Sequence, residues 1–331
     1  MKTLIGADGF PASLRGAIAA LGNFDGFHLG HQAVVGAAAA LAERRQAPLA
    51  VVTFDPHPAR LFKPDIPPFS LTSLPQKLGL LEAFGVETAI VLPFDAALAN
   101  LSAEAFVADT LHSQLGLAGA VTGFDFTFGK GRQGTTERLH VLGTSLGMAV
   151  ETVQPVAASG GLPISSTSIR EKLIVGAPQA AAALLGHWWR LSGTVSHGDK
   201  RGRTIGFPTA NVPLGDYVRP GFGVYAVRVL GLDGAVVEGV ANIGNRPTVG
   251  GTQARAEVHL FDFEDDIYGR DIEIEIVEFI RPEQKFSGLD ALKAQIAVDS
   301  ATAQKILRQP AFASGRYRLQ TRRAFETVMA K

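Results

Sequence analysis

Residues 17–43 constrain the fold more than any other stretch. An apolar run at 17–21 (Ala-Ile-Ala-Ala-Leu) leads into Gly-Asn-Phe-Asp-Gly-Phe-His-Leu-Gly-His at 22–31, and a helical run follows at 33–43. A strand, a glycine-rich turn and a helix N-terminus in that order make an anion site. Free backbone N–H groups and the helix dipole face an incoming phosphate there. His28 and His31, either side of Gly30, add two imidazoles that can donate hydrogen bonds as negative charge builds up on a nucleotide. The stretch reads as part of an ATP-handling enzyme. The His-x-x-His spacing would also suit a metal, but Gly30 sits between the pair and no third ligand accompanies it.

The rest of the first half repeats this strand–helix grammar. Buried-strand runs fall at 49–54, 88–92 and 118–123, with helical patterns at 74–84 and 103–115 between them; Ser102 is placed to cap the second helix. Such alternation predicts a parallel sheet covered on both faces, with ligands beyond the carboxyl ends of its strands. His28, His57 and Asp125 all fall at such ends. The second half changes period. Strand runs at 223–230 and 235–240 flank Asp233-Gly234, a hairpin signal, and 255–260 and 271–275 alternate apolar with polar. One late helix starts at 289. Together these predict an antiparallel barrel or sandwich, joined to the first half near 186–190.

Composition narrows the function classes. With 331 residues the chain is long enough for two domains, each with its own core. Hydrophobic content of 46% and charged content of 19% describe an ordinary globular protein. A formal net charge of zero argues against a nucleic-acid partner held by bulk electrostatics. The absence of cysteine excludes disulfides, thiolate zinc sites and cysteine nucleophiles, and it fits a reducing cytoplasm. No apolar run approaches the roughly 20 residues that span a bilayer, and Asp8 and Pro11 interrupt the start as a signal peptide. The expectation is a cytoplasmic protein with no membrane partner.

Further motifs cluster at the expected strand ends. Phe-Asp-Pro-His-Pro at 54–58 places two prolines around His57, which would stop a helix and expose the imidazole; a hydrogen-bonded turn histidine is the plainer alternative. Gly-Phe-Asp-Phe-Thr-Phe-Gly at 123–129 sets Asp125 among aromatics, and its glycine spacing does not fit a Walker A loop. Ile-Ser-Ser-Thr-Ser-Ile-Arg at 164–170 gathers hydroxyls at a helix start. Ser168 and Glu171 there have capping-box spacing, and Arg170 supplies a phosphate-binding fork. In the second half, 193–211 reads Gly-Thr-Val-Ser-His-Gly-Asp-Lys-Arg-Gly-Arg-Thr-Ile-Gly-Phe-Pro-Thr-Ala-Asn. Gly198, Gly202 and Gly206 allow close approach to a phosphate, and Lys200, Arg201 and Arg203 supply charge. Thr209 and Asn211 are two residues apart, hence on one side of an extended segment, and their hard oxygens suit Mg²⁺.

These motifs taken together resemble the bacterial bifunctional riboflavin kinase/FMN adenylyltransferase (FAD synthetase) family, over nearly all of 22–299. The resemblance implies a Rossmann-like HxGH nucleotidyltransferase domain at 1–186 and an antiparallel β-barrel riboflavin kinase domain with a closing helix at 187–331, of which 310–331 is a tail. The first domain would join FMN to the AMP part of ATP and release pyrophosphate. There His28 and His31 would steady the phosphates. Gly22, Asn23, Phe24, Gly30, Asp125, Ser165, Ser166, Thr167 and Arg170 would bind ATP, and Asp55, His57, Phe62, Phe126 and Phe128 are flavin-side candidates. The second domain would phosphorylate riboflavin. It would hold ATP with Gly198, Lys200, Gly202, Arg203, Gly206 and Pro208, the metal with Thr209 and Asn211, and the hydroxyl proton on Glu257.

Glu257 lies on the polar face of its strand, where a solvated carboxylate is the plainer reading of the residue alone. The segment 242–248, Asn-Ile-Gly-Asn-Arg-Pro-Thr, matches the family but reads only as a structural turn. Gln304 stands where the family commonly has Arg, and the tail, with Leu319, Phe325 and Val328 on one helical face, runs past the family's usual end. A packing helix is the expectation for that tail, with an oligomer contact or regulatory segment as the alternative. The partners implied are riboflavin, FMN and ATP with Mg²⁺, with a homo-oligomer and transient delivery of cofactor to apo-flavoproteins as further options. Two rival readings are a single-activity adenylyltransferase whose barrel only binds flavin, and a non-enzymatic flavin carrier.

Overall fold

A computed structural model describes residues 1–7, 11–157, 164–197, 206–248 and 251–329. Contacts divide the chain into two compact units. One comprises Met1–Pro67, Leu74–Ser165 and the chain from Leu319 onward; the other comprises Pro68–Ser73 and Ser166–Arg318.

The first unit is built on a sheet of β1 (Lys2–Ile5), β2 (Ile18–Leu21), β3 (Leu49–Asp55), β4 (Thr88–Pro93), β5 (Gly119–Gly123) and β6 (Ala149–Val153). Its order is β1-β4-β3-β2-β5-β6, and every pairing is parallel. β2 is central and all four of its residues are buried, which explains why it reads as an unbroken apolar run. The strand order reverses between β2 and β5, so the crevice beyond their carboxyl ends is the expected ligand position. Helix α1 (Leu29–Arg45) follows β2, with Val34, Val35, Ala38, Leu41 and Ala42 packed into one of the apolar clusters of this unit. Its alanines let the helix lie close to the sheet. α2 (Pro58–Phe62) and α3 (Leu74–Phe84) follow β3, and α4 (Ala96–Ala99) follows β4. The helix predicted over 103–115 is present, but only α5 (Ala103–Ala105) is α-helical; Phe106–Gln114 is π-wound, and the Ser113 hydroxyl donates to the Ala108 carbonyl five residues back at 2.8 Å. α6 (Thr136–Ser145) precedes β6.

The second unit carries β7 (Arg190–Thr194), β8 (Ala210–Pro213), β9 (Gly223–Leu232), β10 (Ala235–Thr248), β11 (Gly251–Leu260) and β12 (Asp271–Pro282) in the order β7-β12-β9-β10-β11-β8. All pairings are antiparallel, and a bridge from Ser196 to Asn211 brings the two edges together into a nearly closed barrel. Asp233 (φ 52°) and Gly234 (φ 84°) make the predicted hairpin turn. α7 (Ser166–Ile174) and α8 (Pro178–Leu185) contribute Ile169, Leu173, Ala181 and Leu185 to the barrel's core. α7 starts at Ser166, so Ser168 lies inside the helix and cannot be the cap that its spacing to Glu171 suggested. α9 (Leu289–Leu307) covers the other face of β9, β10 and β12, tied down by Arg281, whose guanidinium reaches the buried Asp299 carboxylate at 2.6 Å. The segment 242–248 is not a turn but the end of β10.

The tail packs against the first unit. α10 (Arg322–Met329) places Phe325, 6% exposed, edge-on to Phe84, while Arg322 pairs with Glu43 of α1 at 3.0 Å. Leu319 packs against the same cluster from outside the helix rather than on its face.

Candidate active sites

The first site forms where β2 runs into α1. Phe24 (φ 51°), Gly26 (φ 83°) and Phe27 (φ 41°) turn the chain tightly, and both phenylalanines are buried beneath the turn. His28 is the N-cap of α1, and its Nδ1 accepts a hydrogen bond from the His31 backbone N–H at 3.2 Å. A ring nitrogen that accepts must be unprotonated, so a neutral His28 carries its proton on Nε2. The His31 ring stacks on His28 with centroids 3.6 Å apart, and Phe24 backs it edge-on at 5.3 Å. Gly30 gives this packing its room, because a Cβ there would lie 3.1 Å from both Cε1 and Nδ1 of His28 and press on the ring. The Ile164 carbonyl borders the same space, 3.7 Å from that Cβ position, which brings the start of the hydroxyl cluster to the turn.

A buried cation beneath the turn was not apparent from the sequence. Lys77 of α3 is 5% exposed, with Nζ 3.3 Å from Thr53 Oγ1 and 3.5 Å from the Phe54 carbonyl. Thr53 Oγ1 in turn donates to the Asn23 carbonyl at 3.1 Å. Burial pushes the Lys77 ammonium below its usual pKa, and the carboxylates of Asp25 and Asp55 oppose that shift. The only sign of Lys77 in the sequence was a charge within an apolar helical pattern.

Other predicted residues of this half occupy different surroundings. His57 is half-buried rather than exposed. It caps α2, which Pro58 starts rather than stops, and its Nδ1 accepts from the Ala59 N–H at 3.1 Å. Asp55 and Asp125 are exposed at the ends of β3 and β5. Phe62 is 60% exposed and touches Phe94, whereas Phe128 is 7% exposed and packs in the core against Phe106 and Phe126. Little of the Phe128 ring is exposed for a flavin to cover. In the second unit, Arg170 on α7 donates from Nε to the Phe69 carbonyl at 2.7 Å and lies over the Phe69 ring.

The second site lies across β8, β11 and β10. Strand pairing sets Glu257 directly opposite Asn211 on one side and Asn242 on the other, so the three side chains share the face opposite the core residues Ala256 and Val258. Asn211 is 6% exposed, and its Nδ2 donates to the Thr209 carbonyl at 3.3 Å, which directs Oδ1, a hard oxygen, elsewhere. The Asn211 carbonyl accepts from the backbone and hydroxyl of Ser196 at 2.8 and 3.0 Å, fixing this strand end. His259, two residues beyond Glu257, bonds the Pro208 carbonyl at 3.0 Å and so joins the Pro-Thr-Ala-Asn segment to β11. Glu257 is held by both nitrogens of the Arg246 fork, Nε and Nη2, at 2.8 and 2.9 Å. Gly206 is exposed just ahead of this segment. Gly198, Lys200, Gly202 and Arg203 lie outside the described residues.

Comparison with known proteins agrees with both halves. Residues 10–168 match the FAD synthetase family and residues 185–307 the riboflavin kinase family. A bifunctional riboflavin kinase/FMN adenylyltransferase of Escherichia coli K12 is 44% identical over 302 residues, covering 91% of this chain and 96% of its own length. Its Bacillus subtilis counterpart is 43% identical over 293 residues, 87% of this chain and 91% of its own. A solved structure from Streptococcus pneumoniae, described as a macrolide-efflux protein, superposes with a TM-score of 0.81 at 33% identity, covering 92% of this chain and 99% of its own. Among the described residues no helix is long and apolar enough to cross a membrane. With both family matches in the expected order and relatives aligned over nine-tenths of its length, the chain belongs to the bifunctional riboflavin kinase/FMN adenylyltransferase family.

Proposed function

We propose that the two activities of this enzyme divide between the two sites as follows. The histidine turn serves adenylyl transfer in a domain spanning 1–186, and the Asn211–Glu257 row serves riboflavin phosphorylation in a domain spanning 187–331. For the first reaction, a phosphate oxygen of FMN attacks the α-phosphorus of ATP and the bond to the pyrophosphate oxygen breaks. His28 Nε2–H and His31 stabilise the charge that develops, and the α1 N-terminus adds its dipole. Gly22, Asn23, Phe24, Gly30, Asp125, Ser165, Ser166, Thr167 and Arg170 hold ATP, while Asp55, His57, Phe62 and Phe126 face the flavin. The observation that carries this half is His28 capping α1 through Nδ1 with the His31 ring stacked on it.

For the second reaction, the riboflavin 5′-hydroxyl oxygen attacks the γ-phosphorus, the bond to the ADP oxygen breaks, and Glu257 accepts the hydroxyl proton. Gly206 and Pro208, with Gly198, Lys200, Gly202 and Arg203, belong to the ATP side. Thr209 and Asn211 would hold Mg²⁺ through their hard oxygens, and the ion would supply positive charge against the phosphates. The observation that carries this half is the direct cross-strand pairing of Asn211 with Glu257. Turnover of soluble flavins with ATP suits the cytoplasm.

Chromatography of riboflavin, FMN and FAD over time tests the division. His28→Ala is expected to abolish FAD formation and spare FMN formation, and Glu257→Gln to do the reverse. A substitution that stops both reactions in a folded protein would refute independent sites.

A further inference from the structure

The turn that presents the two histidines holds a conformation its residues do not favour. Phe24 (φ 51°) and Phe27 (φ 41°) both sit in the left-handed region, and neither is the glycine or asparagine that enters it readily. Bulky residues stay there only where the surroundings over-determine the backbone. Two buried polar side chains do this from opposite ends. At the entry, Thr53 of β3 donates from Oγ1 to the Asn23 carbonyl, in the peptide that leads into Phe24, at 3.1 Å. At the exit, Gln32 of α1 donates from Nε2 to the Phe27 carbonyl, in the peptide that leads into His28, at 2.9 Å. Thr53 is 0% and Gln32 1% exposed, so bulk water does not compete for either bond. Lys77 gives the first clamp its direction. Its Nζ lies 3.3 Å from Thr53 Oγ1, and an ammonium has only protons to give. The Thr53 oxygen therefore accepts from Lys77, and its single proton is left for Asn23. The carboxylates of Asp25 and Asp55 favour the charged lysine and so keep it a donor. The histidines feel both ends of the turn, since Phe24 backs the His31 ring at 5.3 Å and Phe27 immediately precedes His28.

We propose that Thr53, Lys77 and Gln32 are positioning residues for adenylyl transfer. They hold the left-handed turn from Asn23 to Phe27 and thereby place the rings of His28 and His31. Released at either end, the turn relaxes toward ordinary backbone angles and carries the imidazoles with it. This rests on the histidine turn serving adenylyl transfer, as proposed above.

The test is steady-state conversion of FMN to FAD by the full chain, with circular dichroism in urea on each sample as the control for folding. Thr53→Val keeps the shape of the side chain and removes the hydroxyl, whereas Thr53→Ser keeps the hydroxyl and removes a methyl. Thr53→Val is expected to lower kcat by about 10- to 100-fold with KM for FMN unchanged, and Thr53→Ser to stay within about threefold of the parent. The reverse order would mark a packing role and overturn the proposal. Gln32→Met, similar in length but without a donor, should lower kcat by a like factor. Lys77→Met should cost less than Thr53→Val, since the hydroxyl remains. In the Thr53→Val background it should have no further effect, because Lys77 acts through Thr53, and additive losses would refute that relay. Where Lys77→Met or Gln32→Met fails to fold, the two Thr53 variants decide. His28→Ala separates the two levels of the reasoning. If it leaves FAD formation intact, the site assignment fails. If it abolishes FAD formation while Thr53→Val and Gln32→Met turn over at the parent kcat, the site stands and the clamps are refuted.

Discussion

Replacing Gly30 with alanine sets catalysis against stability and so tests the histidine turn. Gly30 is the second residue of α1 and its φ is not positive, so the backbone accepts a side chain there. Alanine in a helix is favoured over glycine by up to about 1 kcal/mol, and the substitution should leave stability unchanged or raise it. Its Cβ, however, would stand 3.1 Å from two atoms of the His28 ring, and the ring must give way by a few tenths of an ångström. It cannot do so freely, because it is stacked on His31 at 3.6 Å and bonded to the His31 N–H. A displacement of 1 Å at a catalytic group costs about 100-fold in rate, so a partial shift should cost roughly 10-fold, about 1.4 kcal/mol of transition-state stabilisation. The assay is FMN conversion to FAD with pyrophosphate release, with riboflavin phosphorylation measured alongside and urea unfolding on the same sample. Adenylyl transfer within twofold of the parent would refute the claim that the packing of His28 sets the chemistry. Equal loss of both activities would show instead a general structural defect.

Three further outcomes follow from buried groups. Burial lowers the pKa of folded Lys77, so between that value and 10.5 the unfolded chain binds more protons and stability should rise with pH; Lys77→Met should flatten this rise in urea titrations across the alkaline range, and parallel curves would contradict it. Glu275, 3% exposed, accepts from Arg228 at 2.9 Å and Arg190 at 3.0 Å, so Glu275→Leu strands a buried cation and should cost about 3–5 kcal/mol in urea unfolding monitored through kinase activity, with a cost below 1 kcal/mol refuting it. A fragment beginning at 187 omits Ile169, Leu173 and Leu185 from the barrel core, at about 1.5–3 kcal/mol each, so it should unfold at markedly lower urea than one beginning at 166; equal midpoints would show that α7 and α8 are dispensable.

Much of the fold was legible because its strands carry their own signatures. β2 and β3 are buried on both faces and read as continuous apolar runs, and the hairpin at Asp233-Gly234 needs positive φ at both positions, which that dipeptide accepts readily. The elements that escaped are those whose stability comes from neighbours. β1 is an edge strand with an exposed pattern, Lys-Thr-Leu-Ile, that exists by pairing with β4. β8 is four residues long and is specified by its register against β11. The π-winding of 106–114 leaves no periodic trace that separates it from an α-helix over nine residues.

The candidate sites divide along the same line. His28, Gly30 and His31 lie within one turn, so their spacing alone predicts their proximity, as does that of Thr209 and Asn211. Interactions across long sequence separations left no such signal. Lys77 reaches Thr53 from 24 residues away, and Glu283 reaches Asn242 from 41. Arg246 and Glu257 are 11 apart, but only the antiparallel register of β10 and β11 turns that separation into a bidentate contact. The proposed residues of the histidine turn and of the Thr209–Asn211 segment are thus each clustered in sequence, whereas Glu257 meets Asn211 only through the register of β11 and β8. The groups that orient them come from other elements and depend on the finished fold. It follows that a chain in which every local motif is kept can still lose the contact that orients Glu257, because Arg246 reaches it only through strand register.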